Sequence, residues 1–398
     1  MANYLRVAII ALALAVPLLG PFRPNPALAP TYPLAFAGVC QWSVTPSPAP
    51  GSPPWSDLRG VTITSPNDAW AVGNFASTPQ STLDPIVQHW DGRRWSVVET
   101  PLFDWPASLE AVDAVSARDV WAVGTETVRR STSETRALHW DGSSWQLIAT
   151  PNPGLRESFL YDVEAISSDD VWAVGGAVDQ ERVRTRTLVI HWDGRQWSVV
   201  PSPNPAAYSV LNGVFGLSSK NVWAVGFATD SVNSPWRTLI QHWDGEQWSI
   251  IPSPSRESSN QLYDVAGTSK NDIWAVGWSY SPTQTPTLVE HWDGQNWSIV
   301  PAPSLGDVSV LRSVVALTPQ NAWAVGYARE SGRDKAIMQH WDGEEWRMVE
   351  APHVNLPSWS QLLEVAALSP THIWTVGHTY SPGELKPFVE GYCGRVRD

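Results

Sequence analysis

The tetrapeptide Trp-Ala-Val-Gly recurs along this 398-residue chain at nearly constant spacing. The interval is 51 residues in every step except one, where it is 49, and the first six copies are each followed by His-Trp-Asp-Gly-x-x-Trp. The tryptophans that open the seven copies, the last reading Trp-Thr-Val-Gly, are Trp70, Trp121, Trp172, Trp223, Trp274, Trp323 and Trp374. A fixed period of this length, built from short apolar runs and turn signals, indicates an array of small sheets. We number the repeat units 1 to 7 in chain order.

Residues 160–203 illustrate one repeat unit. Their runs of Val, Ile, Trp and Thr favour strands, and Asp193-Gly194 suits a two-residue hairpin because glycine adopts a positive φ at little cost. Each unit is therefore predicted to form a four-stranded antiparallel sheet. Such a sheet has two apolar faces and must stack on its neighbours, so the sequence predicts an all-β fold, a seven-bladed β-propeller.

The two ends of the chain predict how the ring closes. The last unit, residues 361–392, lacks a fourth strand, and Gln41–Pro48 matches the fourth strand of unit 3 at 196–203. The N-terminal segment is therefore expected to complete the C-terminal blade. The only two cysteines, Cys40 and Cys393, fall at this seam. They should face each other across the turn between the third and fourth strands of the last blade, where the two ends of the chain meet. Positions opposed in this way lie within the Cα separation that a disulfide tolerates, so the two cysteines are predicted to be bonded.

The N-terminus has the pattern of an export signal. Arg6 is followed by an apolar run, Val7–Leu19, which is short for a membrane span, and Ala35-Phe36-Ala37 supplies a cleavage pattern. We expect a signal peptide over 1–37, a single propeller domain over 38–398, a secreted or extracytoplasmic location and no membrane contact after cleavage. An uncleaved anchor and a lipid-modified Cys40 are the alternatives.

Charge and histidine spacing restrict the classes of ligand that we expect. The formal charge of -13 would repel phosphate backbones, so nucleic acid is not an expected ligand. The repeated histidines are interpreted as one hydrogen bond per blade, because a fixed place in each blade keeps them too far apart to share a metal. They are His89, His139, His191, His242, His291 and His340. No metal or cofactor is expected, and the chain is predicted to be a monomer.

The Trp-Ala-Val-Gly and Trp-Asp-Gly-x-x-Trp repeats resemble those of bacterial secreted seven-bladed propellers of the kelch and galactose-oxidase-like group. The Trp-Asp-Gly-x-x-Trp turn is also similar to the Asp box of sialidase-type propellers. The likeness covers residues 40–394. It implies a propeller fold, but the kelch Gly-Gly pair is absent and no galactose-oxidase copper site can be assembled if both cysteines are bonded. Function does not follow from such a fold.

Variable loops between the second and third strands, and between blades, should share one face of the disc, which is the expected binding face. Five tryptophans outside the repeat pattern map to it: Trp55, Trp105, Trp236, Trp278 and Trp359. The first strands add residues that differ from blade to blade: Arg59, Glu110, Tyr161, Asp162, Asn212, Tyr263, Asp264, Arg312 and Glu364. The alternative is that the tryptophans pack their own loops and the charges pair with one another.

Three functions are compatible with these patterns. The leading hypothesis is a secreted or surface-held binding module without catalytic activity, whose ligand is a glycan or a protein. The second is a glycoside hydrolase or lyase of sialidase-like propeller type, because paired carboxylates could cleave a glycosidic bond. The third is a scaffold for envelope assembly.

Overall fold

The computed structural model describes residues 40–392 except 52–53, 78–81, 129–131, 155, 180–183, 232, 257, 282 and 351–358. Every regular element in this part of the chain is a β-strand. The compact body begins at Cys40, and the predicted signal peptide lies outside the described residues.

Each repeat unit contains four strands, which follow one another along the chain in units 1 to 6, whereas the fourth strand of unit 7 comes from the N-terminal segment. The first strands are β2 (Ser56–Ser65), β6 (Ala107–Ser116), β10 (Glu157–Ser167), β14 (Tyr208–Ser218), β18 (Asn260–Ser269), β22 (Val308–Thr318) and β26 (Trp359–Ser369). The second strands are β3 (Asp68–Phe75), β7 (Asp119–Val128), β11 (Asp170–Val178), β15 (Asn221–Thr229), β19 (Asp272–Ser279), β23 (Asn321–Glu330) and β27 (His372–Ser381). The third strands are β4 (Asp84–Trp90), β8 (Thr132–Trp140), β12 (Thr185–Trp192), β16 (Arg237–Trp243), β20 (Thr287–Trp292), β24 (Arg333–Trp341) and β28 (Glu384–Tyr392). The fourth strands are β5 (Trp95–Val98), β9 (Trp145–Ile148), β13 (Trp197–Val199), β17 (Trp248–Ile250), β21 (Trp297–Ile299), β25 (Trp346–Met348) and β1 (Trp42–Val44).

The strands pair antiparallel within each unit. Units 1, 5, 6 and 7 are separate four-stranded sheets, whereas units 2, 3 and 4 join into one twelve-stranded sheet. That junction consists of two single parallel pairings, Glu157 with Ser133 and Thr185 with Tyr208. The predicted all-β fold of four-stranded units is therefore confirmed.

The Asp-Gly turns owe their shape to local hydrogen bonds. Gly194 has a φ of 86°, the region in which glycine is unstrained. The Oδ1 atom of Asp193 accepts hydrogen bonds from the backbone N–H groups of Arg195 and Gln196, both at 2.9 Å. These bonds hold the pKa of Asp193 below its ordinary value. The same turn recurs wherever Asp-Gly does, which explains why this part of the repeat varies little.

The core lies between units, as the repeated tryptophans predict. Trp121 of unit 2 packs against Trp192 and Trp197 of unit 3, with ring centroids 4.9 and 5.3 Å apart. The contact repeats from unit to unit and returns to the start, because Trp374 of unit 7 packs against Trp90 and Trp95 of unit 1. Each buried indole hides a large apolar area, so these contacts hold adjacent units together.

The repeated histidines are structural as well. His191 lies 4.3 Å from the ring of Trp172, and its Nε2 atom is 2.8 Å from Oδ1 of Asp170. Units 4 and 6 replace this aspartate by Asn221 and Asn321. The pattern is therefore one Trp–His–Asp or Trp–His–Asn contact in each of the first six units.

The seam agrees with the sequence prediction. Strand β1 pairs antiparallel with β28, with Trp42 opposite Tyr392 and Val44 opposite Glu390. The N-terminal segment thus supplies the fourth strand of unit 7. Cys393 lies outside the described residues, so its disulfide with Cys40 stays a prediction, although Trp42, two residues after Cys40, pairs directly with Tyr392, which precedes Cys393.

Candidate functional site

A cavity of about 520 Å³ lies among the first strands. All seven units contribute to its wall, which makes it the common centre of the repeat. Its lining residues are Asp57, Arg59, Glu110, Tyr161, Asp162, Val210, Asn212, Phe227, Gln261, Tyr263, Asp264, Arg312, Tyr327, Gln361, Leu363, Glu364 and His378. The nine first-strand residues singled out from the sequence are all in this set. Their role in ligand binding stays a prediction.

A β-bulge in each first strand aims one residue at the cavity. In unit 3 the pairing slips by one residue between Leu160 and Asp162, which leaves Tyr161 without a partner in the neighbouring strand. A bulge of this kind bends the strand and redirects a side chain. The corresponding residues of the seven units, all of which line the cavity, are Arg59, Glu110, Tyr161, Asn212, Tyr263, Arg312 and Leu363.

The Gly of each Trp-Ala-Val-Gly motif is what allows the bulge. A Cβ atom on Gly226 would lie 2.0 Å from the carbonyl oxygen of Val210, and one on Gly175 would lie 1.9 Å from that of Phe159. Such contacts are far shorter than van der Waals distance, and the neighbour is backbone, which cannot turn aside. The glycine that every unit shares therefore allows the bulge whose side chain varies between units.

The residue after the bulge has a different role in units 3 and 5. The carboxylate of Asp162 accepts hydrogen bonds from the backbone N–H groups of Val163 and, in the next unit, Val214, at 2.8 and 2.7 Å. Asp264 makes the equivalent bonds to Val265 and Val314 at 2.7 and 2.8 Å. Both aspartates thus connect adjacent units while lining the cavity.

A serine replaces the aspartate between units 6 and 7. The backbone N–H of Val365 donates to Oγ of Ser313 at 3.2 Å, and that hydroxyl donates to Oε1 of Glu364 at 2.5 Å. Of the three acids that the sequence singled out at this position, Asp162 and Asp264 therefore have their oxygens engaged by backbone amides, and Glu364 is engaged by a hydroxyl.

Burial sets the charge of these acids. It raises the pKa of Asp162 and of Glu364 well above the ordinary value, and the nearby charge of Asp264 raises both further. Burial also raises the pKa of Asp264, to about 6, against the opposing effect of its backbone hydrogen bonds. Glu164, farther along β10, has its pKa raised by burial and then by Asp113. The buried acids Asp162, Asp264 and Glu364 therefore take up protons at a higher pH than exposed carboxyl groups do.

The two arginines of the cavity differ in their partners. Arg59 forms salt bridges with Asp57 at 3.0 Å and Glu110 at 2.7 Å. Burial lowers the pKa of Arg59, but these two carboxylates more than offset it and keep the pKa above its ordinary value. Arg312 lies with its guanidinium carbon 4.0 Å from the ring centroid of Tyr263. Within the described residues it has no hydrogen bond or ion pair.

The five non-repeat tryptophans do not line the cavity. Trp236 stacks on Phe227, whose ring does line it, with centroids 4.5 Å apart, and also contacts Trp278 at 5.9 Å. Trp55 and Trp359 both contact the ring of Tyr380. Trp105 and Trp359 are 49% and 42% exposed, whereas the other three are half-buried.

Sequence reasoning missed part of the cavity wall. Phe227, Tyr327 and His378 each follow directly after the Gly of the Trp-Ala-Val-Gly or Trp-Thr-Val-Gly motif. Gln261 and Gln361 precede the Leu before the bulge. Both positions vary between units although the neighbouring Gly or Leu is constant, and this variation could have identified them as cavity residues.

The described residues lack two features that would point to a metal or a membrane. They contain no group of three or more His, Cys, Asp or Glu side chains arranged to hold a metal ion. They also contain no helix with the length and apolarity to cross a bilayer.

No protein-family model and no curated protein matches this sequence. Solved structures do match. YCF48 bound to the D1 peptide is 15% identical, covers 91% of this chain and 99% of its own, and has a TM-score of 0.55. YCF48 from Cyanidioschyzon merolae is 13% identical over 88% and 98% of the two chains, with a TM-score of 0.52. An ulvan lyase bound to -[GlcA(1-4)Rha3S]- is 10% identical over 84% and 93%, with a TM-score of 0.51.

These likenesses identify the chain as a β-propeller protein. At such low identity they carry the fold and nothing of the activity. The more specific resemblance to the kelch and galactose-oxidase-like group stays a prediction.

Proposed function

We propose that the chain is a secreted or extracytoplasmic seven-bladed propeller that binds a glycan in its central cavity and does not cleave it. The observation that carries this proposal is the set of seven bulges, each aiming one side chain into a common cavity. The side chains are of mixed chemistry, whereas the scaffold around them repeats. A rigid frame with a variable polar centre is typical of a specific binding site.

The polar groups of the wall favour a polyhydroxylated ligand. The hydroxyls of Tyr161, Tyr263 and Tyr327 and the side-chain amide of Gln261 have no hydrogen-bond partner among the residues that the structure describes. The side-chain amide of Asn212 donates to the carbonyl oxygen of Leu262 at 2.7 Å, which leaves its own oxygen available. Sugar hydroxyls can donate to and accept from such groups, and the tyrosine rings offer apolar surfaces to the C–H faces of a sugar.

The ring of seven blades is part of the same proposal. It is supported by the contribution of every unit to the cavity and by the tryptophan contacts that lead from unit 7 back to unit 1. Export is supported by the N-terminal pattern, and the predicted disulfide between Cys40 and Cys393 is consistent with an oxidising compartment.

A protein ligand is the competing class, and YCF48, which was solved with a peptide, shares the fold. Glycan arrays and peptide libraries applied to the full-length mature protein would decide between the two classes. We expect glycan binding that weakens by roughly 1 to 3 kcal/mol in Tyr161→Ala, the scale of losing an aromatic anchor. Trp105→Ala, which changes an exposed aromatic outside the cavity wall, is the matched control and should bind as wild type does.

Loss of binding in Trp105→Ala but not in Tyr161→Ala would move the site to the outer face and contradict the proposal. Binding of peptides without any glycan would establish the competing class.

An enzyme is the second candidate because the raised pKa of Glu364 suits a general acid. Cleavage of the bound glycan, abolished by Glu364→Gln at unchanged affinity, would establish a hydrolase or lyase in place of a binding module.

A further inference from the structure

Arg312 is a cation in the cavity without a local counter-charge. Its only close contact of charge or ring type in the described residues is the face of Tyr263 at 4.0 Å. Arg59, the other arginine of the wall, is already held by two carboxylates at 3.0 and 2.7 Å. The two residues occupy equivalent bulge positions in units 1 and 6, so the difference lies in their surroundings and not in their place in the fold.

The remaining acids of the wall are engaged elsewhere. The oxygens of Asp264, which lies next to Tyr263, accept the backbone N–H groups of Val265 and Val314. Asp162 and Glu364 are likewise bonded within or between units. Arg312 still influences the site over a distance, since its charge lowers the pKa of Asp264 against the larger effect of burial.

Stacking on a ring leaves the edge of a guanidinium open. That planar edge presents paired N–H donors whose spacing matches the two oxygens of a carboxylate. The phenols of Tyr161 and Tyr327 are close enough for the Arg312 charge to oppose the rise in pKa that burial causes in each. An anion on Arg312 would therefore have hydroxyl groups beside it, as the hydroxyls of a sugar require.

We propose that the cavity selects glycans containing a uronic acid, with the sugar carboxylate bound by the guanidinium edge of Arg312. This inference rests on the proposed glycan-binding function and names its ligand class. Arg312 is the specificity-determining residue, and Arg59 is a structural cation that keeps Asp57 and Glu110 in position. The amides and phenols of the wall contact the neutral sugar positions.

The test uses calorimetry on the full-length mature protein with two tetrasaccharide probes, oligogalacturonate and its methyl ester. The ester keeps the sugar and removes the charge. We expect wild type to prefer the acid by about 10- to 100-fold, the scale of a hydrogen-bonded charged pair. Arg312→Gln should abolish the preference, and Arg312→Lys, which keeps the charge but not the planar edge, should retain only part of it.

Arg347→Gln is the control, since Arg347, an exposed residue of β25, pairs with Asp342 and Glu345 and does not line the cavity. Its preference should equal that of wild type, and equal melting temperatures would establish that the variants are folded. Equal affinity for acid and ester, or a preference that survives Arg312→Gln, would overturn the inference while leaving neutral glycan binding intact. Binding of neither probe would also overturn it, and a neutral-glycan array would then show whether the proposed function fails as well.

A last experiment compares the binding of peptides that end in a free carboxylate with that of peptides that end in an amide. If the free carboxylate binds in an Arg312-dependent manner and oligogalacturonate does not, the anion is a protein C-terminus and the glycan class is wrong.

Discussion

Glu290, in the third strand of unit 5, is a buried acid. Its side chain is fully buried, and neither carboxyl oxygen has a hydrogen-bond partner among the described residues. Burial raises its pKa to about 8, against a smaller lowering by the nearby hydroxyl of Ser253. The equivalent residue of unit 4 is Gln241, whose amide donates to the carbonyl oxygen of Pro203 at 2.9 Å, and Gln339 of unit 6 donates to Pro303 in the same way. We therefore expect Glu290→Gln to stabilise the protein at neutral pH.

The size and sign of the effect follow from the pKa. The folded state holds a proton that the unfolded state, with a pKa near 4.5, releases, so wild-type stability falls as pH rises from about 4.5 to about 8. At pH 7, about 2.5 units above the unfolded-state pKa, the raised pKa of Glu290 lowers the wild-type free energy of unfolding by roughly 3 kcal/mol relative to low pH. At pH 5 the loss is less than about 1 kcal/mol. The variant does not titrate here, so its advantage should grow with pH by this amount.

Urea unfolding at pH 5, 6, 7 and 8 measures the effect directly. Glu246→Gln is the matched control, because Glu246 is exposed in the Asp-Gly turn of unit 4 and should change stability little at any pH. A stability gain in Glu290→Gln that is equal at pH 5 and pH 8, or a loss at pH 8, would refute the argument that an uncompensated neutral acid is buried there.

Two further predictions concern the repeat itself. Asn221→Asp should stabilise the protein by up to about 1 kcal/mol, and this gain should increase as pH falls from 7 to 5. Burial lowers the pKa of His242 beside Asn221, and an aspartate at position 221 would favour the protonated imidazole. Thermal unfolding across this pH range tests the prediction, and a gain that does not depend on pH would contradict it. Gly226→Ala should destabilise by more than about 3 kcal/mol, since its Cβ would meet the Val210 carbonyl at 2.0 Å. Gly332→Ala, with open space but a φ of 77°, should cost only about 1 kcal/mol, and an equal loss in the two variants would contradict the clash as the reason for the motif glycine, since Gly226 does not have a positive φ.

The sequence predicted the fold well because the fold depends on features that repeat. Period, strand-forming runs and Asp-Gly turns specify four strands per unit, and the match between Gln41–Pro48 and the fourth strand of unit 3 specified the pairing of β1 with β28. Each of these signals is local or is a comparison of the chain with itself. The bulges have no such signal, since a Leu followed by a variable residue is equally compatible with a regular strand.

The sequence predicted many of the residues that line the cavity but not the bonds that each of them makes. Strand order places Asp162, Tyr161 and Arg312 near the centre, whereas only the structure gives their partners. An aspartate that bonds two backbone amides and an arginine without a counter-ion look alike in the sequence as charged residues on a first strand. Likewise, the stacking of Trp236 on Phe227 depends on loop geometry that the repeat does not encode.

The separation of stability from specificity explains why the cavity residues can differ between units. Tryptophan contacts such as those of Trp121 with Trp192 and Trp197 hold adjacent units together, and they involve none of the bulge residues. The motif glycine sets the bulge by its lack of a Cβ, whatever side chain the bulge carries. Residues as different as Arg59, Tyr161 and Leu363 can therefore occupy the same place in the fold. By this argument, exchanging a bulge residue should change what the cavity binds more than it changes the free energy of unfolding, except where, as at Arg59, the side chain neutralises buried carboxylates.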